Sequence, residues 1–253
     1  MSSGTLSIIA TPIGNMEDIT LRALRTLREA DVVFAEDTRV AAKLLAKYEI
    51  KVPVHRLDAE VEAKVAGEVI ERLKAGERVA YITDAGTPGL SDPGSRLVAA
   101  VRKIHSGAGD ILFSTRTIGG SEKRISPAPP DTSPTIEAIP GPSALTALLS
   151  IAGIDMSRFT FFGFLPHKKG RQTALKGIAA SQYPIVLYES PHRIIKLLEE
   201  LTQFAPNCRV TIGRELTKMH EEVISGTPAE LIRSLESRNA VRGEFVVIIE
   251  PTV

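Results

Sequence analysis

The stretch Val79-Ala-Tyr-Ile-Thr-Asp-Ala-Gly-Thr-Pro-Gly-Leu-Ser-Asp-Pro-Gly94 decides how the chain is read. Its first four residues form a continuous apolar run, and Gly or Pro fills five of the next twelve positions. A short apolar run closed in this way reads as a buried strand whose backbone then turns sharply. Just upstream, residues 61–75 repeat apolar positions at helical spacing, and Gly76 follows as a C-cap. Helix, buried strand and Gly/Pro loop together make most of one α/β repeat.

The same rhythm extends outward. Residues 6–10, 32–35 and 79–82 read as strands, while residues 19–30 and 40–48 carry apolar positions at helical spacing. Further on, residues 159–165, 184–188, 209–213, 222–226 and 245–250 read as strands, and 191–202 and 228–237 as helices. Such alternation argues an α/β fold with a mostly parallel sheet in two unequal lobes, residues 1–153 and 158–253. One stretch breaks the pattern. From 105 to 135, Gly, Ser, Thr and Pro supply 17 of 31 residues. It reads as a surface insertion, with room for a short strand at 111–114.

Composition sets the outer limits. The chain has 253 residues, 43% of them apolar, and a formal net charge of +1. That balance excludes gross electrostatic capture of nucleic acid and leaves room for a local basic patch. Cys208 is the single cysteine, so no internal disulfide forms. The five histidines are scattered without metal-ligand spacing, and no metal site is expected. The longest uncharged run, residues 138–154, is 17 residues long and broken by Pro140, Gly141, Pro142 and Gly153. It is too short for a membrane span and reads as a strand end followed by a buried helix. No basic leader opens the chain, so a cytoplasmic location is expected.

Several common chemistries are missing. There is no dinucleotide fingerprint, no P-loop and no nucleophile elbow. Four irregular loops stand in their place, each at the carboxyl end of an apolar run: Thr11-Pro-Ile-Gly-Asn15, Ala35-Glu-Asp-Thr-Arg39, Thr83 to Gly94 as quoted, and Ile139-Pro-Gly-Pro-Ser-Ala144. In open α/β sheets ligands bind at these ends. Carboxylates and main-chain carbonyls suit a ligand bearing an ammonium or sulfonium cation, and backbone N–H groups suit its carboxylate. Asp84 fits that role. Asp92 has a second reading, as N-cap of the next helix. In the second half Lys168, Lys169 and Arg171 cluster just past a strand, where Arg193, Arg214 and Lys218 can join them. Residues 158–253 hold 13 Lys and Arg against 10 acids, which points to a phosphate-contacting surface.

Taken with Gly163-Phe-Leu-Pro166, Tyr188-Glu-Ser-Pro-His-Arg193, Arg214-Glu-Leu-Thr-Lys218 and Arg242-Gly-Glu-Phe245, the ordered set resembles the ribosomal RNA small-subunit methyltransferase I family of the tetrapyrrole methylase superfamily. The resemblance covers nearly the whole chain. It implies a two-lobe tetrapyrrole-methylase-like fold with S-adenosylmethionine in a cleft between lobes, and a homodimer. It implies 2′-O-methylation of a cytidine ribose in the decoding region of 16S rRNA, on the small ribosomal subunit. Carried over by motif, it implies cofactor contacts from Pro12, Asp84, Ala85, Gly86, Ser143, Ala144 and Leu216, and from the Tyr188–Glu189 strand end. The insertion at 105–135 departs from the family pattern.

A ribose hydroxyl is a weak nucleophile, so the reaction needs positioning first and gains from a general base. Asp37, Glu189 and His192 are the candidate bases. Each has a plainer reading: Asp37 pairs with Arg39, Glu189 anchors its loop or binds cofactor hydroxyls, and His192 faces solvent. Arg39 and Lys218 are placed to hold the target phosphate, beside the Lys168, Lys169, Arg171 and Arg193 cluster. Two other readings stand beside this one: a sibling enzyme that methylates a tetrapyrrole or other small molecule, and a non-catalytic RNA-binding assembly factor.

Overall fold

The structure, a computed structural model, describes residues 4–105, 133–238 and 240–251. The expected insertion falls almost wholly outside the described residues, and the strand expected at 111–114 falls entirely outside them. The chain divides into two units, Met1–Pro12 with Met16–Gly141, and Ile13–Asn15 with Pro142–Val253. The boundary expected near 153–158 lies inside the second unit.

The first unit is built on β1 (Thr5–Ile9), β2 (Val32–Ala35), β3 (Val54–Arg56), β4 (Arg78–Ile82) and β5 (Thr135–Ile139), in the order β3-β2-β4-β1-β5. Every pairing is parallel. Period-two alternation splits the strands between two cores. Val33, Ala35, Ala80 and Ile82 face α1 (Leu21–Glu29) and α2 (Thr38–Lys47). Val32, Phe34, Val79 and Tyr81 face α3 (Glu62–Lys74) and α4 (Ser95–His105). With both faces covered, the strands need no polar side, which is why 79–82 reads as an unbroken apolar run. Gly76 ends α3 as expected, at φ 89°.

The second unit holds α5 (Ala144–Ile151), β6 (Thr160–Phe164), α6 (Arg171–Ala179), β7 (Ile185–Glu189), α7 (Ile194–Phe204), β8 (Arg209–Arg214), β9 (Glu222–Gly226), α8 (Pro228–Ser237) and β10 (Phe245–Glu250). Its sheet runs β6-β7-β10-β8-β9. Only β6 and β7 are parallel, and the other pairings are antiparallel. The expected mostly parallel sheet therefore holds for the first unit alone. The short β8–β9 connection returns its strand antiparallel, whereas α7 and α8 carry the chain over an intervening strand, and β10 inserts antiparallel between β7 and β8. Helices α6, α7 and α8 bury Leu175, Leu197, Leu201, Leu231 and Leu235 against one face. On the other, α5 packs on β10. The helix expected from 191 begins at Ile194, because Ser190 to Arg193 first closes a tight turn, with the Arg193 N–H donating to Ser190 O at 3.0 Å.

Candidate functional site

In the first unit, strand order determines where a ligand can enter. From β1 and β2 the chain leaves into α1 and α2 on one face, whereas from β4 it leaves into α4 on the other. Both neighbours of β4 thus send their loops the opposite way, and a crevice opens at the carboxyl ends of β2, β4 and β1. Three of the four quoted loops begin there.

Short polar ties fix the crevice. Thr11 and Gly86 exchange backbone hydrogen bonds of 2.9 and 3.0 Å, and the Thr11 hydroxyl donates to Thr83 O at 3.2 Å. Gly86 takes φ 81°, open to Gly at no steric cost. Pro12 is buried beside it and Ala85 half-buried. From the β2 side the Asp37 N–H donates to Asp84 Oδ1 at 3.0 Å. The far end of the loop is held from below. Buried Glu62 of α3, 3% exposed, accepts the Gly94 and Leu97 N–H groups at 3.0 and 2.9 Å. It therefore caps α4, satisfying donors the helix itself cannot. The sequence offers Asp92 for that cap, and the structure gives the place to Glu62.

Asp92 instead joins Glu36 and Asp84 in an acidic crevice. Burial, then the Glu36 and Asp84 charges, pushes the Asp92 carboxyl up to about 6. Glu36 is raised by burial and then by Asp84, and Asp84 by burial foremost. The Tyr81 hydroxyl beneath is fully buried with no hydrogen-bond partner among the described residues. Burial and then Glu36 raise its pKa as well. Glu36 and Asp92 are half-buried, whereas Asp84 is exposed and feels the Arg39 charge; carboxylates grouped in this way, partly withdrawn from water, favour a cation. They are not arranged as metal ligands: among the described residues no group of three or more His, Cys, Asp or Glu could hold a metal ion.

Asp37 is the N-cap of α2, accepting the Arg39 N–H at 2.8 Å, and its carboxylate also grips the Arg39 guanidinium with a closest contact of 2.6 Å. That pairing holds its pKa well below the usual carboxylate range. The Arg39 side chain is 86% exposed, so the pair sits at the surface.

The second-unit candidates scatter more widely. Ser143 precedes α5, with its hydroxyl buried and unpartnered among the described residues, and Ala144 opens the helix half-buried. Leu216 is buried between Glu215 and Thr217, which both take positive φ, 48° and 65°. Two non-glycine residues in the left-handed region cost about 1 kcal/mol or more each, so this turn must be held from outside. The Arg242-Gly-Glu motif does so. The Glu215 N–H donates to Glu244 O at 3.0 Å and the Glu244 N–H to Glu215 Oε1 at 2.9 Å. A side chain at Gly243, φ 91°, would run into Glu215. Lys218 completes the knot, paired to Glu215 at 3.0 Å and Glu244 at 2.9 Å.

Three basic expectations are corrected here. Arg171 is 4% exposed; its guanidinium reaches Glu200 at 2.6 Å and Pro166 O at 3.2 Å, and cannot meet RNA. Arg171, Leu175 and Ile178 share the buried stripe of α6, a helix that the sequence reading did not identify. Arg193 is likewise turned inward, donating to Leu165 O and pairing with Glu189 at 3.3 Å. Lys218 is neutralised as described. Lys168 and Lys169 are exposed and pair with no acid among the described residues. Of the candidate bases, Glu189 has a fully buried side chain beneath Arg193 and Arg171, closed to a ribose hydroxyl. Alternation with Ile185 and Leu187 on β7 puts it there. His192 is exposed. Sequence reading missed Glu36, Glu62 and Tyr81. Tyr81 lay inside an apolar run, and nothing local marks Glu62 as a partner of Gly94, more than thirty positions away.

The family model of tetrapyrrole (corrin/porphyrin) methylases matches residues 5–109 and 122–232. A ribosomal RNA small subunit methyltransferase I from Thermotoga maritima is 37% identical over 246 residues, covering 97% of this chain and 98% of that protein. One from Xylella fastidiosa is 40% identical over 250 residues, covering 98% and 81%. Among solved structures, a cobalt precorrin-4 methyltransferase of cobalamin biosynthesis superposes with a TM-score of 0.64 at 19% identity, covering 97% of this chain and 94% of that one. A diphthine synthase gives 0.67 at 14% identity, covering 98% and 91%. At such identities these structures speak for the fold alone.

Proposed function

Because the chain belongs to the tetrapyrrole (corrin/porphyrin) methylases and, within them, to the ribosomal RNA small subunit methyltransferase I family, we propose that it transfers a methyl group from S-adenosylmethionine to the ribose 2′-hydroxyl of a cytidine in the decoding region of 16S rRNA. The substrate is the assembled small ribosomal subunit, the setting is the cytoplasm and the working form is a homodimer. The observation that carries the reading is near-full-length similarity to relatives so named, joined to a crevice whose chemistry fits the methyl donor.

The donor supplies an electrophilic methyl group on a sulfonium cation. Glu36, Asp84 and Asp92 give the crevice negative charge, suited to that cation and to an ammonium. Pro12, Ala85 and Gly86 shape its wall and bring main-chain groups within reach. Asp37, tied to Asp84 through its own N–H, is the proton acceptor for the ribose hydroxyl. In the resting chain Arg39 suppresses its basicity. An RNA phosphate has the charge to draw the exposed guanidinium away and free the carboxylate, so the base becomes competent when substrate arrives.

The test is transfer of labelled methyl from S-adenosylmethionine to unmethylated small subunits, with large subunits and a tetrapyrrole in parallel. Label in small-subunit RNA alone supports the reading. Label in the macrocycle, or none anywhere with the donor bound, overturns it.

A further inference from the structure

The second unit carries an aromatic and basic surface along one edge of its sheet. β6 is an edge strand whose single partner among the described strands is β7. Along it the chain reads Thr-Phe-Phe-Gly-Phe, and Gly163 at φ 61° marks an irregularity that shifts the register between Phe161 and Gly163. A bulge of this kind re-aims side chains along the strand. The result is an aromatic cluster. The Tyr188 ring of β7 meets Phe161, centroid 5.1 Å away and nearly edge-on at 74°, and Phe164, 5.6 Å away and tilted at 57°. Phe164 is 53% exposed. Near the other end of β6, Tyr183 is 42% exposed, with the Arg158 guanidinium 5.8 Å from its ring centroid and bonded to its hydroxyl at 3.2 Å.

Charge says what such a surface accepts. Between Asp155 and Glu189 there is no acidic residue, while Arg158, Lys168, Lys169, Arg171 and Lys176 all fall in that interval. Arg171 is spent on Glu200. Lys168 and Lys169, just past β6, are exposed and pair with no acid among the described residues. A second copy of the chain would have to cover cations with no carboxylate of this segment in return. A flexible polyanion with flat, apolar bases meets both features at once, since bases stack on aromatic rings and phosphates take the lysines.

We propose that the β6 edge is a platform for unpaired RNA, in which a base stacks on Phe164 and the flanking phosphates are held by Lys168 and Lys169. The proposal rests on the reading of the substrate as RNA and adds to it a single-strand preference. Backbone donors and acceptors on the open edge of β6 can meet base edges as well. Five strand residues span roughly 16 Å, room for only a few nucleotides.

The test is fluorescence anisotropy with a short labelled single-stranded oligoribonucleotide and the same sequence as duplex, titrated with the full chain across a salt series. F164A is expected to weaken single-strand binding about ten-fold, and F164Y to restore most of it. K168Q with K169Q is expected to lower the slope of log affinity against log salt by about 1.4, because two phosphates are no longer neutralised. Calorimetric affinity of F164A for S-adenosylmethionine, unchanged, shows that the variant is folded. Equal binding by F164A and the parent overturns the platform, as does a duplex bound as tightly as the single strand. A fall in sedimenting mass for F164A also overturns it, because the face would then be covered by a second copy. If the parent transfers no methyl group yet F164A still loses single-strand affinity, the platform stands and the methyltransferase reading fails.

Discussion

Replacing Glu62 by Ala removes the acceptor that holds the far end of the cofactor-side loop. Two N–H groups, on Gly94 and Leu97, now give 3.0 and 2.9 Å bonds to one buried carboxylate oxygen. Each buried donor left unpaired costs about 1–3 kcal/mol. Burying a carboxylate is itself costly, and its removal returns part of that. The net expectation is a loss of about 2–4 kcal/mol, large beside the roughly 5–15 kcal/mol typical of a folded domain. Glu62→Gln keeps an acceptor oxygen in place and gives up only the charge and its favourable meeting with the helix N-terminus, about 1 kcal/mol. Urea unfolding followed by circular dichroism separates the two through their midpoints at constant slope. S-adenosylmethionine affinity should fall in Glu62→Ala and stay near the parent in Glu62→Gln, since Gly94 closes the loop that begins at Thr83. A Glu62→Ala variant within about 0.5 kcal/mol of the parent, the ordinary scatter of neutral surface changes, would refute the capping role. So would a Gln variant as damaged as the Ala one.

Other consequences follow from the same residues. Asp92, raised to about 6, binds more protons folded than unfolded, so its contribution makes stability fall as pH rises from the usual carboxylate range through about 6. Discounted for its partial exposure, Asp92→Asn should gain about 1–2 kcal/mol at pH 7 and nothing at low pH; a pH-independent difference in urea midpoints would remove this assignment. Donor affinity should run the opposite way, strengthening as pH rises through about 6 while the carboxylate ionises, and Asp92→Asn should flatten that dependence in calorimetry. Asp37→Ala should lower methyl transfer at least about 100-fold, with donor affinity within a few-fold and a small loss of stability from the α2 cap; unchanged turnover would take Asp37 out of the mechanism. Gly243→Ala should destabilise by about 2 kcal/mol, through its positive φ and the Glu215 side chain it would strike, and thermal melts comparable to the parent would show the turn to be loosely held.

How far the sequence could be read depended on whether a residue's partners were local. β10 was legible to the residue, because five apolar positions in a row between Glu244 and Glu250 admit little else. The four loops were legible as irregular loops because Gly and Pro mark them and apolar runs precede them. β3 went unread: it is three residues long and only half-buried, so it carries no periodic signal. α6 was hidden by a charged residue on its apolar stripe, Arg171, whose burial depends on Glu200 from another helix. Three of the six RNA contacts expected are already paired with acids: Arg171 with Glu200 from another helix, and Arg193 and Lys218 with Glu189 and Glu215 only four and three positions away, pairings that a count of basic residues does not register. Glu62 shows the limit from the other side, a buried carboxylate in an ordinary amphipathic helix whose purpose is set by a loop far along the chain.

The chemistry of the product offers the sharpest test. A methyl group on a ribose 2′-oxygen blocks alkaline cleavage of the next phosphodiester bond, whereas a methyl group on a base does not. Unmethylated small subunits incubated with the protein and labelled S-adenosylmethionine should, after alkaline hydrolysis, release their label in an alkali-stable dinucleotide that begins with cytidine. Label recovered in mononucleotides would mean base methylation, and absence of label would mean that this chain does not modify the subunit at all.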